Sequence, residues 1–270
     1  MYCEDRSERS GFREREIVRH RGVIQTRDND KVAEEFPIAL VFNGISHAVM
    51  MATPRDLEAF AVGFALTEGI VGSAREIFDI EVLMREDSAE VQLTVGQPSF
   101  LALKGRRRAL AGRTGCGVCG IESIELLDLH PERIEPPAMH VVATNVVIAR
   151  AAEALQDHQL LMRATGGVHA AAWCNPDGEI LAVYEDVGRH NGLDKLIGAL
   201  AMKRVDMKAG FVFLSSRASY ELVRKTARIN IPMLATISAP TSLVISIAGQ
   251  AGMKLVSFCR KDGFVEYTGI

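Results

Sequence analysis

The chain is 270 residues long and 48% hydrophobic, with 31 lysines and arginines against 34 aspartates and glutamates for a formal net charge of −3. That supplies core material for one large or two ordinary domains, while the near-balanced charge argues against nucleic-acid binding over the whole surface and leaves any anionic partner to a local basic patch. Five cysteines, two in a Cys-x-x-Cys and three isolated at positions 3, 174 and 259, are unlike the even set of a secreted disulfide framework, and no apolar run approaches the roughly eighteen residues of a membrane span.

The expected setting is therefore the reducing cytoplasm, with neither a membrane nor a nucleic-acid partner. Residues 1–15 alternate acid and arginine. They carry too little apolar surface to offset the entropy of ordering, and read as a disordered tail rather than a secretory signal. A smaller domain of α+β type is expected over residues 16–137. Ile17–Thr26 reads as an edge strand. Phe36–Phe42 and Ser46–Ala52 are apolar, β-rich runs flanking Asn43-Gly44, a hairpin signal because both turn residues tolerate positive φ. Thr53-Pro54 opens a helix, with threonine as cap, proline in the first turn and Leu57, Phe60, Ala61, Phe64 and Ala65 at helical spacing. Gly69 stops it. Glu58 and Glu68 on this helix read as solvated charges. Ile77–Met84 and Glu90–Val95 are expected to be two further strands.

Next comes the basic run Lys104, Arg106, Arg107 and Arg108, leading into Gly112-Arg113-Thr114-Gly115-Cys116-Gly117-Val118-Cys119-Gly120. So much glycine does not hold a helix or strand unaided, so a loop is expected. Its two thiols lie beside cationic side chains that favour the thiolate, the nucleophilic form. Three uses compete: half of a zinc site, a dithiol/disulfide redox pair, or a carrier holding extra sulfur as a persulfide. Zinc needs four ligands, and no second Cys-x-x-Cys or spaced histidine pair exists, so no structural metal is expected. Thioredoxin-type chemistry places its pair at a helix N-terminus, whereas glycines flank this pair on both sides. A mobile arm visiting a donor and then an acceptor fits best.

Ile121–Leu129 reads as a short helix, and Pro131, Pro136 and Pro137 mark a linker. A second domain is expected over 138–270. Thr144 can cap a helix over Asn145–Met162. Val168–Cys174 and Glu179–Glu185 are strands around the turn Asn175-Pro176-Asp177-Gly178. Helix and strand then alternate: 193–202, 211–214, 219–229, 233–237, 242–253 and 255–259. The pattern predicts an α/β domain with a mostly parallel sheet. Trp173 and Tyr184 are expected in its core.

Three strand-to-helix turns here are polar: Glu185-Asp186-Val187-Gly188-Arg189-His190-Asn191, Ser215-Ser216-Arg217-Ala218-Ser219 and Ser238-Ala239-Pro240-Thr241-Ser242. In a parallel sheet they share the carboxyl edge, where ligands bind. Serines, arginines and helix N-terminal amides on one rim suit phosphate or another anion; singly, each serine reads better as a cap. The usual phosphate-loop and dinucleotide fingerprints are absent. His169 and His190 are weaker candidates, since a lone histidine beside an apolar strand is more often a hydrogen-bonded core residue.

With the cysteine loop, Val32-Ala33-Glu34-Glu35, Thr53-Pro54-Arg55-Asp56-Leu57, Leu66-Thr67-Glu68-Gly69-Ile70, Thr165-Gly166-Gly167-Val168-His169, the 185–191 turn and Ser215-Ser216-Arg217 in that order, the chain resembles the FdhD family from about residue 17 onward. The resemblance implies a cytoplasmic homodimeric sulfurtransferase. It would take sulfur from a cysteine desulfurase as a persulfide and deliver it to the bis-molybdopterin guanine dinucleotide form of the molybdenum cofactor, as formate dehydrogenase requires. Cys116 would be the persulfide cysteine and Cys119 its partner. The family's cofactor-binding segment matches Phe258-Cys259-Arg260-Lys261-Asp262-Gly263, where Arg260 and Lys261 could meet phosphates. Arg189, Ser215, Ser216, Arg217 and Ser238 on the rim suit the same large anion, with guanine nucleotide as a possible ligand. The family also implies a cytidine-deaminase-like, three-layer second domain. Its zinc-ligand stretches correspond to His169-Ala170-Ala171 and Ser215-Ser216-Arg217-Ala218, which lack the catalytic glutamate and both cysteines, so no deaminase activity is expected. Two alternatives remain open on the residues: a non-catalytic chaperone that holds the cofactor, and a dithiol/disulfide oxidoreductase.

Overall fold

A computed structural model describes residues 10–108, 131, 133–135 and 142–269. Cys116, Cys119 and the helix expected over Ile121–Leu129 lie outside the described residues. The architecture is mixed α/β, with a two-stranded ribbon, a four-stranded sheet and a six-stranded sheet.

The ribbon pairs β1 (Phe12–Arg21) with β2 (Ile24–Ala33) antiparallel through all ten positions. Strand structure thus begins at Phe12, inside the stretch expected to be a disordered tail, and the single edge strand expected over 17–26 is two strands turning at Gly22. Charge had masked it, because β1 and β2 alternate arginine with glutamate and aspartate rather than polar with apolar residues.

The four-stranded sheet has the order β4-β3-β6-β5, formed by β3 (Phe36–Phe42), β4 (Ile45–Ala52), β5 (Ile77–Met84) and β6 (Ala89–Val95). The Asn43-Gly44 hairpin forms as expected, with φ of 45° and 78° at its two turn residues. Helix α1 (Leu57–Thr67) ends just before Gly69. Its start differs from expectation, because Thr53 is held elsewhere and caps nothing. The Thr53 amide donates to Asp186 at 2.9 Å, its hydroxyl accepts from the Val187 amide at 3.1 Å, and its carbonyl accepts from Lys195 at 2.9 Å. The helix begins three residues beyond Pro54, behind Asp56 at φ 54°. Helix α2 (Gln97–Arg108) runs through the basic stretch, and Lys104 Nζ lies 4.6 Å from the Phe100 ring centroid.

The six-stranded sheet has the order β12-β11-β10-β9-β7-β8. Its strands are β7 (His169–Cys174), β8 (Ile180–Asp186), β9 (Phe211–Leu214), β10 (Met233–Thr236), β11 (Lys254–Arg260) and β12 (Gly263–Glu266). Only the β9–β10 and β10–β11 pairings are parallel; β7–β8, β7–β9 and β11–β12 are antiparallel. The mostly parallel sheet read from sequence is therefore corrected. Crossover helices join β8, β9, β10 and β11, all of one direction, but β7 is inserted between β8 and β9, and tight turns fold β7–β8 and β11–β12 into hairpins.

Strand alternation assigns the two faces. Phe211, Phe213, Met233, Ala235 and Val256 pack with Ile148, Ala151 and Leu155 of α3 (Asn145–His158). Val212, Leu214, Leu234 and Leu255 pack on the other side, against α5 (Arg189–Met202), α6 (Tyr220–Arg228) and α7 (Ser242–Ala251). Thr144 caps α3 as expected, accepting from the Val147 amide at 3.3 Å. The single helix expected over 145–162 is broken at Gln159, and α4 (Leu160–Thr165) follows. The break has a cause: the Glu185 carboxylate accepts from the Leu161 and Met162 amides at 2.7 and 2.8 Å, giving α4 an N-terminus of its own.

One core joins both sheets. Every residue of α1 except its N-terminal-turn Glu58 is buried, because the helix lies between the four-stranded sheet and α5. The crossing is close. A Cβ on Gly63 would stand 1.8 Å from the Asp194 carbonyl oxygen, and one on Gly198 would stand 1.8 Å from that of Ala59. Trp173 is buried in this core and Tyr184 packs half-buried at its margin. Among the described residues, no helix is long and apolar enough to cross a membrane.

Candidate functional site

Strands β8, β9, β10 and β11 all run in one direction, because β8 and β9 are each antiparallel to β7 while β10 and β11 follow β9. The three polar turns after β8, β9 and β10 therefore open on one sheet edge, with His169 at the start of β7 beside them. This is the rim where α/β sheets accept ligands.

Two helices present their N-termini to it. Helix α5 starts at Arg189 behind Gly188, and α6 starts behind Ser219, neither with a side-chain cap from that position; the first-turn amides of α5 face the rim as donors suited to an anion, whereas in α6 the Glu221 carboxylate already lies against its own amide. Ser219 occupies the cap position but turns its hydroxyl to His190, 3.3 Å from Nε2. That nitrogen is also 3.4 Å from Glu221, whose pKa is held down at about 2, chiefly by the hydrogen bond from His190 and against the opposing effect of burial. Of the serines read as caps, only the third turn conforms in kind: there Thr241, not a serine, accepts from the Val244 amide.

His169 joins the cluster. Its pKa is lowered, first by burial and then by the positive fields of Arg189 and His190, so these three side chains share one neighbourhood. Neither histidine is in the core; both are half-buried at the rim. Arg189 Nε is buried and has no hydrogen-bond partner among the described residues. Native interiors rarely leave such a donor unmatched, so the rim holds one buried cationic donor that the described residues leave unsatisfied.

The other expected ligand residues divide by what they already hold. Ser215 stitches β7 to β9, its hydroxyl accepting from the Ala170 amide at 2.8 Å. Ser216 is buried and donates to the Arg217 carbonyl at 3.2 Å, while the Arg217 and Ser238 side chains are exposed. In the 258–263 segment, Phe258 takes φ 54° at a register shift in β11 and is 43% exposed. A bulky residue in that region is an outlier, of a kind that clusters at ligand sites. Cys259 faces the core, where burial pushes its thiol up to about 12. Arg260 donates to the Ile237 and Cys259 carbonyls at 2.6 and 2.8 Å, and Lys261 pairs with Glu153 of α3 at 2.7 Å. Asp262 and Gly263 turn the chain into β12.

Sequence reasoning missed what holds the rim in place. Asp186, wholly buried, gathers four donors: the Gly188 amide at 2.8 Å and Asn191 Nδ2 at 3.0 Å on one oxygen, the Thr53 amide at 2.9 Å and Lys195 Nζ at 2.7 Å on the other. Asn191 also reaches the Met51 carbonyl at 2.8 Å. The motif at 185–191 is thus an anchor as well as a ligand loop, fixing Arg189 and His190 to the four-stranded sheet. A second buried group lies between α1, α5 and α6. Lys225 Nζ is 3.0 and 2.8 Å from the two Asp194 oxygens, 2.9 Å from Thr67 Oγ1 and 2.8 Å from Glu68, which also pairs with Arg224 at 2.9 Å. Burial opposes the Lys225 charge, yet Asp194 and Glu68 hold its pKa above the ordinary lysine value. Burial likewise pushes Asp194 up, against the lowering effect of the Lys225 ammonium that sits on both its oxygens. Glu68, expected to be solvated, is instead half-buried; burial opposes its charge, but Lys225 and Arg224 bring its pKa to about 2. Glu58 is exposed, as expected. The available signal was the charged residues Glu68, Asp194 and Lys225, set beside apolar positions at the end of α1 and within α5 and α6.

Beyond the undescribed cysteine segment the chain is fastened on the opposite sheet edge. The Ile134 amide donates to the Ala251 carbonyl at 2.8 Å, the Glu135 amide donates to Asn230 Oδ1 at 3.0 Å, and the Glu135 carboxylate pairs with Lys208. Cys174 is buried and its thiol is pushed well above the usual range by desolvation. Neither it nor Cys259 is a reactive thiol. Among the described residues, no group of three histidines, cysteines or carboxylates could hold a metal ion.

Comparison with known proteins gives consistent relatives. The family model described as FdhD/NarQ matches residues 33–270. A protein of Chromobacterium violaceum named sulfur carrier protein FdhD is 62% identical over 99% of both chains, and one of Burkholderia mallei with the same name is 60% identical, again over 99% of both. Acinetobacter baylyi has another at 50% identity, over 96% of this chain and 93% of its own. Among solved structures, a candidate formate dehydrogenase accessory protein from Desulfotalea psychrophila superposes with a TM-score of 0.70 at 22% identity, over 96% and 97% of the two chains.

Proposed function

Because the chain belongs to the FdhD/NarQ family, we propose that it is a sulfur carrier serving formate dehydrogenase, working in the cytoplasm. Sulfane sulfur from a cysteine desulfurase is taken up as a persulfide on Cys116, with Cys119 as its partner, and passed to the molybdenum cofactor in its bis-molybdopterin guanine dinucleotide form. Uptake is a balanced exchange. The Cys116 thiolate attacks the outer sulfur of the donor's persulfide, the donor's sulfur–sulfur bond breaks, and the donor cysteine leaves as thiolate. The cationic run before the loop favours the attacking form.

The observation supporting cofactor binding is the buried Arg189 Nε, which has no partner among the described residues. Phosphates of a large anionic cofactor would supply acceptors to Arg189, His169, His190 and the first-turn amides of α5. The exposed Phe258 ring at the same edge suits a flat heterocycle. A sheet ordered β8-β7-β9-β10-β11 with helices on both faces is in keeping with a deaminase-like platform that has kept its ligand edge and lost its zinc ligands.

Two measurements test the reading. After incubation with a cysteine desulfurase and cysteine, intact-mass and peptide spectra should place one added sulfur on Cys116. Retention of formate dehydrogenase maturation by Cys116→Ala would remove the carrier reading and leave a holding chaperone. For the rim, Arg189→Met should weaken guanosine diphosphate binding by about ten- to a hundredfold, the loss of one or two charge-assisted hydrogen bonds; unchanged affinity in calorimetry would move the site elsewhere.

A further inference from the structure

Of the two histidines at the rim, His190 has a carboxylate beside it and His169 has none. His190 Nε2 lies 3.4 Å from Glu221 and 3.3 Å from Ser219 Oγ. The His169 ring makes no hydrogen bond or ion pair among the described residues, and the charges that bear on it are those of Arg189 and His190. Strands β8 and β9 and helix α5 flank β7, and none of them supplies an unengaged anion. Asp186, opposite His169 in the β7–β8 ladder, is occupied by Lys195 and three neutral donors, and Glu185 by the α4 amides. Strand β9 has no ionisable residue and is followed by Ser215, Ser216 and the exposed Arg217. On α5, Asp194 is held by Lys225.

A half-buried imidazole beside two cations is kept neutral by burial and by their fields. Arg189 adds a buried Nε with no partner among the described residues, so the neighbourhood that disfavours a proton on His169 is also short of an acceptor. A phosphate seated against Arg189 would change both at once, accepting from the guanidinium and setting negative charge where His169 now meets only positive. We propose, on the reading of the rim as an anion site, that an anion binding there brings a proton with it and that His169 carries that proton. Linkage gives the sign: the ligand favours the protonated ring, so the proton favours the ligand by the same factor. Affinity should rise as pH falls from the pKa of the bound ring to that of the free ring, and level off below. Because the free value is lowered, the ring is neutral before binding at neutral pH, and the change falls in the physiological range.

The probe is a guanosine diphosphate sugar, a pyrophosphate diester with no proton of its own to gain near neutrality. Calorimetry on the full chain at about pH 7, in two buffers of different ionisation enthalpy, should show uptake of up to about one proton per site. Affinity should rise about tenfold from about pH 8 to about pH 6, within the roughly 5–150-fold range of such couplings. His169→Gln keeps a polar side chain that cannot titrate, and should take up no proton and give a flat pH profile; a merely structural loss would lower affinity and leave the wild-type slope. No binding of the probe, or binding that Arg189→Met leaves unchanged, would remove the anion-site reading and this proposal with it. Binding that Arg189→Met weakens but that takes up no proton, or uptake that survives His169→Gln, would overturn the proposal alone.

Discussion

Asp186→Ala should cost most of the stability of the fold, about 3–5 kcal/mol in urea unfolding, the range found when one partner of a buried ion pair is removed. The substitution strands a lysine with no exposure, Lys195, and takes acceptors from the Thr53 and Gly188 amides and from Asn191. Each orphaned donor adds to the loss, though not additively, since all four share one carboxylate. Typical native stabilities of 5–15 kcal/mol leave little margin. The companion result separates charge from shape: Lys195→Met added to Asp186→Ala should recover a substantial part of the loss, because the buried cation is then gone. A single variant within about 1 kcal/mol of wild type would show that Asp186 is not the hub the geometry makes it.

Gly198→Ala should be comparably damaging, although alanine is the better helix former by about 1 kcal/mol. The added methyl would lie 1.8 Å from the Ala59 carbonyl oxygen and 2.7 Å from the Gly63 amide nitrogen. Both contacts are backbone, so no side chain can rotate away, and α1 and α5 must separate along their whole crossing. Overpacking of side chains costs about 1–3 kcal/mol; a backbone collision at the centre of the shared core should exceed that, outweighing the gain in helix propensity. Thermal unfolding should show a drop of more than about 5 °C. Gly63→Ala should behave alike, and Gly44→Ala, at an exposed turn with open space around it, should show only the smaller strain of its φ of 78°.

Much of the fold was legible because its elements are separated by punctuation with a physical meaning. Asn43-Gly44 fixed the β3–β4 hairpin, Gly69 closed α1, Thr144 opened α3, and the apolar four-residue strands at 211–214 and 233–236 stood clear between helices. What escaped depended on partners distant in sequence. Thr53 looks like a cap until Asp186 claims its amide, more than a hundred residues away. The single helix expected over 145–162 is broken by a carboxylate from β8. Sheet direction was misread because strand–helix alternation does not reveal a hairpin inserted between parallel neighbours. For the site, the polar turns were visible as clusters of serine, arginine and histidine, and topology places them on one edge. The roles of His169, His190 and Glu221 were not visible, since each is defined by the others' charges. Glu68 looked solvated for a related reason: its partners, Arg224 and Lys225, sit on α6.

The close seating of α1 on α5 has a further consequence for how this chain can be handled. Cutting it near the proline-rich stretch would not release two self-sufficient pieces, because α5 would surrender its cover and Lys195 and Lys225 would face solvent from beneath a stripped apolar surface. Two fragments divided there and expressed together should elute together until denaturant is added. The ligand-bearing half is therefore no free-standing cassette; its edge is shaped by a scaffold contributed from the other end of the polypeptide, through Thr53 and Met51.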